Sequence, residues 1–202
     1  MPSALSRRAP RRALYIFLGC NLLAGLPPTL QAAAEPPGLL DLCRPDSLLP
    51  QDIRSSLARN FSGWKIQEPT DLSTRARTRW GAERPLNCPG IAAGHFQDAK
   101  NASYALLLIP ANHASSAYRL LIFTQQSGQQ YYGFKAVGQT DSGAGDVFVE
   151  SVPTVRFFEA TAKLVAHSHV SEAVMLVDSA ATQAYLYVYS DMAYEREQVN
   201  YQ

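Results

Sequence analysis

A charge excess of either sign is missing from this sequence. Its 18 Lys and Arg face 17 Asp and Glu, for a formal net charge of +1. With so little basic excess to neutralise phosphates, a nucleic-acid partner is not expected. Cysteine is scarce at three residues, and no two sit at the two-residue spacing of a redox pair. No Gly-x-Ser-x-Gly elbow presents a serine nucleophile, and no repeat of fixed period points to a solenoid or propeller. The apolar run Ala13 to Leu26 falls short of the roughly 20 residues that a membrane-spanning helix needs.

What that run has is context. Arg7, Arg8, Arg11 and Arg12 precede it without an acid, Pro27-Pro28 breaks it, and Gln31-Ala32-Ala33-Ala34 offers small residues to a signal peptidase. This order reads as a secretory signal, residues 1–34, cleaved after Ala34. A lipoprotein box at Phe17-Leu18-Gly19-Cys20 and a twin-arginine reading of Arg11-Arg12 are the alternatives. Cleavage after Ala34 removes four arginines and no acid, turning the net charge to −3. The expected location is periplasmic or secreted, with no transmembrane segment after cleavage. Only Cys43 and Cys88 then remain, and an oxidising compartment predicts a disulfide between them.

Residues 35–49 read as a loose lead-in and residues 50–202 as a single α+β domain. Ile53, Leu57 and Phe61 fall at helical steps behind Pro50. Leu72, Ala76 and Trp80 form a second stripe, with Thr70 or Asp71 as its cap and Gly81 as its stop. Arg75, Arg77 and Arg79 lie off that stripe and read as a solvated face. Short β-branched and aromatic runs follow from Ile91 to Tyr189, separated by turn residues. Tyr104 to Ile109 is apolar throughout, which predicts a central strand covered on both faces. The expected fold is two short N-terminal helices packed on one face of a mainly antiparallel sheet of seven or eight strands.

Cys88-Pro89-Gly90 leads through Gly94-His95-Phe96 and a polar turn into Tyr104-Ala105-Leu106. This stretch resembles a signature of small exported bacterial proteins of unassigned function, and its turn is similar to an FG-GAP-type calcium loop. The resemblance implies a strand–turn–strand hairpin. At the alternate positions where such a loop carries oxygen ligands, this chain has His95, Gln97, Ala99 and Ser103, with Asp98 and Asn101 nearby. Calcium takes six to eight oxygens, commonly from several carboxylates, so the hairpin is expected without the metal.

Other candidates are sparse. Asp141 and Asp146 bracket a glycine-bearing loop and could serve as a carboxylate pair in a hydrolase. His167 and His169 share a face if extended, with Glu172 as a third ligand for zinc. Wet turns explain both groups, and no cofactor is called for. Tyr185, Tyr187 and Tyr189 alternate on one strand face, either as sheet core or as a recognition surface. From Gly138 to Gln202 nine acids stand against three bases, a field that would steer a basic partner. The leading expectation is a non-enzymatic envelope protein that binds another protein, for example an inhibitor or immunity protein against a toxin or cell-wall hydrolase. The alternative is a periplasmic hydrolase using Asp141/Asp146 or a metal at His167/His169.

Overall fold

Uniformly apolar strands need cover on both faces, and the chain supplies it by building two sheets. The structure is a computed structural model that describes residues 43–83, 87–112, 117–126, 132–140, 143–157 and 170–200. In chain order the elements are α1 (Pro45–Leu48), α2 (Gln51–Asn60), β1 (Trp64–Ile66), α3 (Thr74–Glu83), β2 (Ile91–Gly94), β3 (Ser103–Pro110), β4 (Tyr118–Gln125), β5 (Tyr132–Thr140), β6 (Val147–Pro153), β7 (Glu172–Asp178), β8 (Gln183–Ser190) and β9 (Ala193–Asn200).

The first sheet runs β1-β3-β4-β5, with β2 beside β1 on the same edge of β3. The second is the meander β6-β7-β8-β9, and every pairing in both is antiparallel. The fold is thus sheet-rich and mainly antiparallel, as expected, but the described residues form nine strands in two sheets rather than seven or eight in one. Ala105, Leu107, Leu120 and Ile122 pack against Val149, Val174, Leu176 and Tyr187 of the second sheet. Leu106, Leu108, Leu121 and Phe123 point the other way, toward Ile53, Leu57 and Phe61 of the α2 segment. Met175, Val177, Leu186 and Val188 face outward under Leu72 and under Ala76 and Trp80 of α3. The two helices therefore do not share a face. Each covers the outer side of a different sheet, because each central strand is apolar on both sides. Every fully buried Leu, Ile or Val in these three clusters contributes about 1.5–3 kcal/mol.

Local signals were redirected by tertiary partners. Ser73, not Thr70 or Asp71, caps α3: its hydroxyl accepts from the Ala76 amide at 3.2 Å and donates to Asp146 at 2.5 Å. Asp71 instead closes the preceding turn, accepting from the Glu68 amide at 2.9 Å and from Lys65 Nζ at 2.8 Å. Gly81 lies inside the helix rather than at its end. Arg77 is not simply solvated; it donates to the carbonyls of Pro69, Thr70 and Leu72. Of the strand runs expected between Ile91 and Tyr189, the one at Lys163 to Ala166 falls outside the described residues. The described part of the lead-in, 43–49, holds α1 and buries Cys43 and Leu49.

Candidate functional site

The Cys-Pro-Gly stretch joins the sheets, residue by residue. Cys88 is bonded to Cys43 with their Cα atoms 4.9 Å apart, tying α1 to the edge of the first sheet. The Pro89 carbonyl accepts from the Val149 amide of β6 at 2.9 Å, a backbone bond from one sheet to the other. The Gly90 carbonyl accepts from Leu107 at 2.9 Å, and its Cα lies against the backbone of Gln67: an added Cβ would sit 2.8 Å from Ile66 Cγ2, 2.9 Å from Gln67 N and closer still to Gln67 O. Gly94 is equally confined, with the Phe96 ring 2.7 Å and Ser151 Oγ 2.9 Å from the Cβ it lacks.

The loop after β2 uses its polar groups on itself. Asp98 accepts from the Lys100 amide at 2.8 Å, the Asn101 amide at 2.7 Å and Asn101 Nδ2 at 2.7 Å. Slight burial pushes its carboxyl up, but these hydrogen bonds and nearby His95 outweigh that and hold it below the usual carboxylate range. The carboxylate thus shapes the turn with the oxygens that a cation would need. Gly94 pairs with Ser103 directly across the hairpin.

Asp146 accepts the Ser73 hydroxyl, and its carbonyl accepts from the Ser179 amide at 2.8 Å. Its proposed partner Asp141 lies outside the described residues, as do His167 and His169. Glu172, their suggested companion, braces three strand ends. It accepts from the His95 amide at 2.7 Å, lies 3.3 Å from His95 Nδ1, and accepts from Ser151 Oγ at 3.4 Å. The acid sits between serine and imidazole, so the histidine is not placed to activate that hydroxyl. Among the described residues no three His, Cys, Asp or Glu side chains gather to hold a metal ion, and no helix is long and apolar enough to cross a membrane.

The tyrosine row divides. Tyr187 is buried in the intersheet core, and its hydroxyl comes within 2.7 Å of the Cβ that Gly138 lacks. Tyr185 is half-buried under the Arg196 guanidinium, 4.7 Å above its ring. Tyr189 meets Tyr194 edge-on at 5.1 Å and lies 5.1 Å below Lys135 Nζ. Tyr194 belongs to β9, which composition did not reveal.

Among the described residues, two clefts stand out. One, of about 110 Å³, is lined by Gln97, Ile122, Thr124, Gln126, Lys135 and Tyr194. Burial pushes the Tyr194 hydroxyl up to about 12, against the lowering pull of Thr124. The second, of about 230 Å³, is lined by Trp64, Pro110, Tyr118, Arg119, Gln139 and Thr140. The Arg119 guanidinium lies over the Trp64 indole, its Cζ 4.4 Å from the ring centroid. Burial, with Tyr187, Tyr185 and Asp178 nearby, pushes the Tyr118 hydroxyl up to about 12. Neither lining includes a carboxylate, an imidazole or a thiol. Sequence reading passed over Arg119; its position beside Gln139 and near Trp64 exists only through strand register.

Comparison with protein family models, characterised proteins and solved structures finds no match for this chain.

Proposed function

We propose that the chain is a non-enzymatic binding protein of the cell envelope, exported to the periplasm or beyond, whose partner is another protein. An inhibitor or immunity protein against a toxin or cell-wall hydrolase is the form this reading takes. The observation that carries it is the chemistry of the two clefts. Aromatic rings, amides, hydroxyls and two cations line them, with no carboxylate, imidazole or thiol in either lining. Such groups favour recognition, where Tyr, Trp and Arg anchor interfaces.

Other features support the same reading. Asp146 and Glu172, two of the acids a hydrolase would draw on, hold a helix cap and a strand junction in place. The Cys43–Cys88 bond suits an oxidising compartment and agrees with the secretory pattern of residues 1–34. The hairpin of β2 and β3 is held by hydrogen bonds to Asp98 within its turn.

The test is capture from envelope extract with the protein as bait at low salt, followed by reconstitution with the purified candidate. A stoichiometric complex is the expected result. Failure to recover any specific protein at low salt would count against this function.

A further inference from the structure

We propose that the Trp64–Arg119 cleft is a carboxylate-binding site that receives an acidic side chain from a bound peptide segment. This rests on the binding reading above and names the chemistry of one of its sites.

Three observations meet here. Arg119 is half-buried, and among the described residues no carboxylate lies within ion-pair distance of it. Lys65 and Arg54, by contrast, are each paired with an aspartate. A partly buried guanidinium that no carboxylate of the described residues meets favours an anion. Second, the guanidinium carbon sits 4.4 Å from the Trp64 ring centroid, a cation–π contact. A guanidinium engaged with a ring in this way keeps an N–H edge for hydrogen bonding. A carboxylate binds that edge through two parallel hydrogen bonds, so stacking and ligand do not compete, and the indole fixes the fork before the ligand arrives. Third, strand register supplies a neutral donor beside the fork: Gln139 pairs directly with Arg119 across β4 and β5, on the same sheet face, and both residues line the cleft. A volume of about 230 Å³ admits one acidic side chain with its flanking backbone. The acidic C-terminal half steers a partner that is basic overall, and this cleft selects an acidic anchor within it.

The probes are a blocked triglutamate peptide, the matching triglutamine peptide and trigalacturonate, titrated at low salt into the full chain. Resonances of the Trp64 indole and the Gln139 amide are followed by NMR. Triglutamate is expected to shift both and to bind at least ten-fold more tightly than triglutamine. Arg119→Gln removes that preference, Arg119→Lys keeps only part of it, and the distant Arg156→Gln leaves it intact. Gln139→Ala, at an exposed position, weakens triglutamate about three-fold and keeps the test valid if the Arg119 variants fold poorly. Equal binding of the two peptides overturns the proposal, as does a preference that survives Arg119→Gln or, if that variant fails to fold, Gln139→Ala. Trigalacturonate shifting Trp64 while triglutamate does not overturns the peptide assignment. A captured partner held equally by wild type and Arg119→Gln also overturns it, while leaving the binding reading intact.

Discussion

Replacing Gly90 with alanine tests how the two sheets are joined. The new methyl would stand 2.8 Å from Ile66 Cγ2 and 2.9 Å from Gln67 N, where nonbonded carbon contacts settle near 3.5–4.0 Å. Relief requires about 1 Å of movement, and the residue is held from both sides. Its carbonyl is bound by Leu107, its neighbour Pro89 is bound by Val149, and Cys88 is fixed to Cys43. Overpacking of this kind costs about 1–3 kcal/mol. Losing one or both of the adjoining backbone bonds adds about 1 kcal/mol each. The sum, about 2–5 kcal/mol, is a large share of the roughly 5–15 kcal/mol that holds a domain folded. At about 2–4 °C per kcal/mol it lowers the Tm by roughly 5–20 °C. Thermal and urea unfolding by circular dichroism reads the loss, and hydrogen exchange should speed first at the Val149 and Leu107 amides. Gly81→Ala is the counterpart. Nothing lies within 4 Å of its missing Cβ, and it sits inside α3, so it should stabilise by about 0.5–1 kcal/mol. Equal stability of Gly90→Ala and wild type would refute the tight junction described here.

Three further outcomes follow from the same geometry. The Cys43–Cys88 bond spans 45 residues, so reduction should cost about 4 kcal/mol in the chain-entropy model, read as a drop in the urea midpoint. Gly138→Ala drives a methyl against the Tyr187 hydroxyl and should cost about 1–3 kcal/mol; Tyr187→Phe should recover part of that in a double-mutant cycle. Tyr118 and Tyr194 ionise near 12 in the folded chain against about 10 when unfolded, so folding favours their neutral form. That stability is complete below pH 10 and is lost as pH rises from 10 through 12; absorbance at alkaline pH should show these two phenols among those ionising late, together with unfolding.

Strand existence was legible where burial was strong. Tyr104 to Ile109 announced a doubly covered strand, and β3 is one. Its two covers were not legible, because an apolar run shows that both faces are buried without saying what buries them. β9 escaped notice because Ala193–Asn200 is a largely exposed edge, anchored by little beyond Tyr194 and Val199. The turn before it gave no signal either. Asp191 and Met192 both hold positive φ, 47° and 69°, where Asn-Gly is the usual choice. The α3 cap was misread because Ser73 gains its advantage from Asp146, 73 residues away. Of the candidate sites, the disulfide followed from cysteine count and compartment alone. The Arg119 cleft needed the register that brings Arg119 beside Gln139 and Trp64 near Pro110.

Whether this protein recognises or reacts is decided most directly by mixing it with its purified captured partner, measuring saturation by titration calorimetry and weighing both chains by mass spectrometry afterwards. The account predicts a saturable complex in which both chains keep their intact masses. A partner found cleaved, with no lasting complex, would contradict it.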